Sequence, residues 1–195
     1  MSVALIVGLL QVAALENAYV RVTRDAAPCA SASAPNCSDR VIVALGNVEL
    51  RTGSSSRKLA RGEIAVFNAS QSYEQPTGGP FYEVAIKPDH PPVVGPTESI
   101  APEKNNVLFD GERLFIFEER LPAGETRARH SHSQRVVIQL NRTRLQQWPD
   151  GQAEVMRDIM PDLVAFNPAV VHKVKNVGEL PLRGIVIELK AARPR

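Results

Sequence analysis

The chain has 195 residues, of which 44% are hydrophobic and 23% charged, and its formal net charge is +2. That composition belongs to a globular protein and not to a disordered one. A charge so near zero excludes a surface built to attract nucleic acid or anionic lipid, and interspersed pairs such as Glu118-Glu119-Arg120 and Arg157-Asp158 read as ordinary solvated faces.

Residues 1–14 open the chain with a run, Ser2 to Ala14, that carries no charged side chain. Val12 and Ala14 place small residues at the spacing that signal peptidase reads, so 1–14 is expected to be a signal peptide and the protein secreted or periplasmic. A basic n-region is missing, and the alternative is an apolar first strand or short buried helix. The run falls short of the ~20 residues a bilayer core requires, so no stable membrane span is expected. Next come Cys29 and Cys37, the two cysteines of the chain, in a loop-like stretch of small residues. In an oxidising compartment they are expected to join as a disulfide, worth about 2–3 kcal/mol by chain entropy. Two unpaired thiols are the alternative; the spacing fits neither a zinc site nor a thioredoxin motif.

From there the chain repeats itself. Ser38 to Leu50 (SDRVIVALGNVEL) aligns with Ser133 to Leu145 (SQRVVIQLNRTRL), and Glu63 to Asn68 (EIAVFN) with Asp162 to Asn167 (DLVAFN). Each half opens on a β-rich run (Ala18–Thr23; Val107–Asp110 with Arg113–Phe117) and closes on one (Phe81–Ile86; Leu182–Leu189). Between the halves, prolines at 88, 91, 92, 96 and 102 remove backbone donors and favour extended chain, marking residues 89–105 as a linker. The domains are therefore set at 15–88 and 106–192. Short segments rich in valine and isoleucine, broken by Gly, Pro, Asn and Asp, predict an all-β architecture. Gly151 to Met160 is the main helix candidate. Roughly ninety residues per half suit a small jelly-roll barrel. Asp110-Gly111 is a turn signal, and Asn68-Ala-Ser70 and Asn141-Arg-Thr143 are glycosylation sequons by pattern.

Three of the four histidines fall at telling places. His130 and His132, at i and i+2, project to one face of a strand, where two imidazoles can share one metal ion. His172 lies in another strand-like segment that an antiparallel barrel could return beside the first pair. His90 sits in the linker, where it is expected to be solvated.

These residues resemble the motifs of the cupin family. Its first motif sets a glycine ahead of a His-x-His pair, matched by Gly124, His130 and His132; its second sets proline, histidine and asparagine in order, matched by Pro168, His172 and Asn176. The resemblance implies two tandem jelly-roll barrels (double-stranded β-helices), with motif residues in the second only. It departs from the family where the metal-binding glutamate would fall, at Val136 or Val137. Three histidines can still form a centre with open positions, as some zinc sites do. Losing the carboxylate leaves the site more positive, favouring anionic ligands and late first-row metals. Gln134 is a candidate fourth ligand or a hydrogen-bond partner to one of the ligands. In the first half Pro35, Cys37 and about Tyr73 stand where the histidines would be.

The resemblance implies a divalent transition metal (iron, manganese, nickel, copper or zinc) and dioxygenase- or isomerase-like chemistry on a small molecule. No general base stands out; Glu125 is placed in the loop before the strand. The alternatives are a non-catalytic module binding a sugar or other small ligand, and a structural or assembly protein, since tandem barrels offer sheet faces for a homodimer.

Overall fold

The computed structural model describes residues 13–28, 38–101 and 105–191. Most of the expected signal segment and both Cys29 and Cys37 lie outside the described residues. The N-terminal half contributes β1 (Ala13–Glu16), β2 (Val20–Arg24), β3 (Arg40–Ala44), β4 (Val48–Thr52), β5 (Ser55–Leu59), β6 (Ile64–Phe67), β7 (Thr77–Gly78) and β8 (Phe81–Ile86). The C-terminal half contributes β9 (Asn105–Asp110), β10 (Leu114–Leu121), β11 (Thr126–His132), β12 (Arg135–Gln139), β13 (Thr143–Pro149), β14 (Val155–Ile159), β15 (Val164–Asn167), β16 (Val170–Asn176) and β17 (Leu182–Leu189). Among the described residues there is no helix, and none is therefore long and apolar enough to cross a membrane. The boundary set after Ala14 falls inside β1, which pairs with β2.

The two halves are jelly-roll barrels of matching topology. A five-stranded sheet β1-β2-β8-β3-β6 faces β5-β4-β7 in barrel 1; β9-β10-β17-β12-β15 faces β11-β16-β13-β14 in barrel 2. Among the described residues every strand pairing is antiparallel and lies within its own half. The two larger sheets stack on one another. Val41 and Val43 of β3, Val84 and Ile86 of β8, Val136 and Ile138 of β12, and Ile185 and Ile187 of β17 all join one shared core. Ile42 and Ala44 point the other way, into barrel 1. A strand buried on both faces is a continuous apolar run and not an alternating one, which is why Val41-Ile42-Val43 has no polar break. Each such side chain contributes roughly 1.5–3 kcal/mol on burial, far more than the exposed ion pairs of the surface.

The junction is also hydrogen-bonded. Arg61 donates to the Leu140 carbonyl at 2.6 Å and to Asp162 at 2.7 Å, and the Tyr82 hydroxyl donates to the Asp162 carbonyl at 2.9 Å. Gly62 is required here: its φ is +89° and a Cβ would stand 2.8 Å from a Leu140 methyl.

Two expectations are corrected. Residues 151–160 form no helix; Val155–Ile159 is β14, paired to β13 from Thr143↔Ile159 to Gln147↔Val155. A ladder partner along a neighbouring strand outweighs weak local helical preference. The repeat alignment also slips by one residue. Arg40 pairs with Phe67, but Arg135 pairs with Asn167, so Phe67 corresponds to Asn167 and not to Phe166. One residue of slip exchanges the faces of a strand. Phe67 fills barrel 1, whereas Phe166 packs against the shared core.

Candidate metal centre

β11 and β16 run side by side, with His130 directly opposite His172. Directly opposed residues bring their Cβ atoms to about 4.5–5.5 Å. His132, two residues along β11, leans to the same face. The ring centroids lie 4.5 Å (His130–His172), 4.8 Å (His130–His132) and 5.3 Å (His132–His172) apart. One ligand nitrogen from each residue lies within 4.8 Å of the others, and all three residues are buried. The group could hold a metal ion.

Each ring is oriented by what it touches. His130 Nδ1–H donates to the Ala128 carbonyl at 2.8 Å, and His132 Nδ1–H to Glu188 Oε1 at 2.7 Å. Both therefore turn an unprotonated Nε2 toward the cluster. His172 Nε2 stands 3.1 Å from His130 Nε2; because His130 keeps its proton on Nδ1, His172 donates. Phe117 stacks on His132 at 6.0 Å and fixes its plane.

Burial sets the charge. It pushes His132 down to about 3, with Arg135 adding to the effect, and His172 down to about 2, with the other two imidazoles adding. His130 is lowered too, again by burial first. All three are neutral at physiological pH, the state a metal ligand needs. Burial raises Glu188 to about 7 against the opposing pull of Arg135. The His132–Glu188 contact is thus a hydrogen bond from a neutral imidazole and not an ion pair.

The motif residues outside the cluster build its frame. Gly124 takes φ +78° in the turn before β11. Asn176 is fully buried: its amide donates to the carbonyls of Leu121 and Leu180, both at 2.9 Å, and its Oδ1 accepts from Thr143 at 2.7 Å. The Pro168 carbonyl accepts from Arg135 at 2.9 Å. Glu125 lies in the loop ahead of β11.

Gln134 is not part of the cluster. The chain turns at Ser133-Gln134, which ends the strand's alternation, and Gln134 Oε1 instead accepts from Val94 N of the linker at 2.8 Å. The linker runs on along β11: Ile100 N donates to Ser131 Oγ at 2.8 Å, and Ser131 N to the Ile100 carbonyl at 3.1 Å. His90 lies in the linker near Arg113, at 3.3 Å.

Beside His132 and His172 opens a cavity of about 360 Å³, also lined by Glu119, Arg135, Val137 and Leu145. Of the two positions for the family's glutamate, Val136 belongs to the shared core and Val137 lines this cavity. Carboxylates reach the region from elsewhere. Glu119 on β10 accepts from Arg127 at 2.7 Å, and Glu188 on β17 holds His132. Glu119, Glu188 and Arg135 escape sequence reading because their strands are buried on both faces. The available signal is a charged residue two positions from an inward apolar one, Phe117 for Glu119 and Val186 for Glu188.

No protein-family model matches the chain, and no curated protein matches it. Among solved structures it is similar to the cupin 2 conserved barrel domain protein from Leptotrichia buccalis, at TM-score 0.55 and 16% identity over 90% of this chain and 86% of that one. AerE from Microcystis aeruginosa gives TM-score 0.56 and 16% identity over 88% and 87%. Oxalate decarboxylase from Bacillus subtilis gives 0.57 and 11% over 90% and 69%. At such identities the likeness is one of fold. The chain therefore shares the fold of these proteins, as two jelly-roll barrels in tandem.

Proposed function

We propose that His130, His132 and His172 hold one divalent transition metal and that barrel 2 acts on a small molecule at that centre. The observation that carries this reading is the 3.1 Å separation of the His130 and His172 Nε2 atoms. Two nitrogens bound at about 2.0–2.1 Å to a single ion stand about 2.8–3.4 Å apart, from square to tetrahedral angles. Three neutral imidazoles favour late first-row ions over magnesium or calcium. A bound ion would supply Lewis acidity at the cavity wall. The protein's own part is to orient: Ala128 and Glu188 fix two rings, Phe117 excludes water from one side of His132, and the His172 Nε2 proton must leave before that nitrogen can ligate. Glu119 is the carboxylate placed to exchange protons with a bound molecule.

The second reading is a non-catalytic binding module, favoured by the engagement of Glu119 with Arg127 and of Glu188 with His132. Elemental analysis of protein purified without chelating resin tests the centre. About one metal per chain is expected in the wild type and none in His130→Ala; metal-free wild type would remove the reading. Turnover of small carboxylic and diketone substrates by the loaded protein separates enzyme from binder. Export and a Cys29–Cys37 disulfide are also part of this reading, supported by the uncharged leader and the cysteine spacing. Intact mass should fall by about 2 Da relative to reduced protein; an unchanged mass would leave the thiols free.

A further inference from the structure

We infer that the barrel 2 cavity takes a small organic carboxylate, its anionic end on Arg135 and its apolar body along Val137, Leu145 and Val174. The inference rests on barrel 2 being the ligand site and names the class of ligand. Arg135 is buried yet lines the cavity. Its Nη1 donates to two carbonyls, Pro168 at 2.9 Å and Ser133 at 3.3 Å. Among the described residues it makes no ion pair at contact distance, and the nearby carboxylates are held by Arg127 and His132. Glu119 and Glu188 act on Arg135 through space but are in contact with other donors, so the buried guanidinium keeps a desolvation cost that a bound anion relieves, and its planar fork matches a carboxylate.

Arg40 supplies the internal control. It occupies the same register position in barrel 1, is 2% exposed and likewise caps a carbonyl, that of Gln71. Phe67, Tyr73 and Phe81 fill the barrel around it. The capping role is common to both barrels, and the open space before the guanidinium belongs to barrel 2. That space, about 360 Å³, is on the order of a dozen water-sized groups at ~30 Å³ each. Arg135 and Arg157 line the cavity together with the carboxylates of Glu119 and Asp158, and of the two guanidiniums Arg135 is the buried one. The apolar wall of Val137, Leu145, Ile159 and Val174 asks for a hydrocarbon body.

Calorimetric titration with hexanoate and with hexanamide, its neutral isostere, tests the inference on the full chain, as purified and again after chelation. Hexanoate should saturate the protein with a Kd at least about ten-fold below that of hexanamide in both states, and Arg135→Gln should erase the preference. Equal binding, no hexanoate binding up to about 10 mM, or a preference that survives Arg135→Gln overturns it. A preference seen only before chelation also overturns it, since the anion would then be read by the metal. Should Arg135→Gln not fold, Val137→Phe narrows the cavity and should weaken hexanoate about ten-fold; unchanged binding refutes the inference. Cobalt(II) uptake without a hexanoate preference removes this inference alone, and a hexanoate preference without cobalt(II) uptake removes the metal centre alone.

Discussion

Barrels 1 and 2 share topology and register, and differ in what their inward faces carry. In β3 the inward residues are Arg40, Ile42 and Ala44; the matching residues of β12 are Arg135, Val137 and Gln139. Ala44 pairs with Phe81, while Gln139 pairs with Gly184. Phe67 is matched by Asn167, and Tyr73 packs on Phe67 with ring centroids 4.8 Å apart. Barrel 2 therefore has a glycine and an asparagine where barrel 1 has two aromatic rings, and Tyr73 adds a third ring to barrel 1. Removing that much apolar volume forfeits core and leaves a hole. One barrel keeps its packing and the other keeps a cavity beside a histidine cluster, although a single strand order builds both.

The sharpest way to break this contrast is Phe81→Ala, which should destabilise the protein by about 3–5 kcal/mol in denaturant titrations while leaving metal stoichiometry untouched. A loss of metal there would show that barrel 1 shapes the centre directly. Next in size is His172→Ala, expected to weaken metal binding by at least about 100-fold, whereas Tyr73→Ala should leave affinity unchanged. Competition with a chromophoric chelator measures both. Glu188→Gln keeps a partner for His132 but weakens its orientation, and a fall of about ten-fold in metal affinity is expected from the same assay.

The smallest effect is a slope. In metal-free protein His132 and His172 have folded values near 3 and 2, below the ordinary 6.5, so the unfolded chain takes up their protons first. Their contribution is intact above pH 6.5 and is lost as pH falls toward those folded values. Glu188 works in reverse: raised from 4.5 to about 7, it stabilises below pH 4.5 and loses that contribution as pH rises toward 7. Glu188→Gln should therefore steepen the loss of stability as pH falls from 6.5 to 4.5. Denaturant midpoints at several pH values read the slope, and a slope equal to wild type would contradict the assignment.

Much of this was legible in the amino acids. The paired strings Arg40-Val-Ile-Val and Arg135-Val-Val-Ile reveal two copies of one strand, and the i, i+2 spacing of His130 and His132 puts both rings on one face. What stayed hidden has a physical cause in each case. Where both faces of a strand are buried, alternation no longer tells inside from interface, so Glu119 could not be separated from Glu118. The same ambiguity let Phe67 be set against Phe166. Gln134 was misjudged because the strand ends at His132, two residues before it, and a hairpin turn leaves no mark in the histidine spacing. The segment 151–160 is too short to declare its own conformation; β13 decides it.

The shared sheet-to-sheet core has a consequence for any shortened gene. A fragment spanning 106–192 would present Ile116, Val136, Ile138, Ile185 and Ile187 to water as one greasy plate, and would precipitate or dimerise through it. The N-terminal copy is a permanently tethered cover for that plate. Its outer face must go on matching its sibling, while its interior is filled by Phe67, Tyr73 and Phe81.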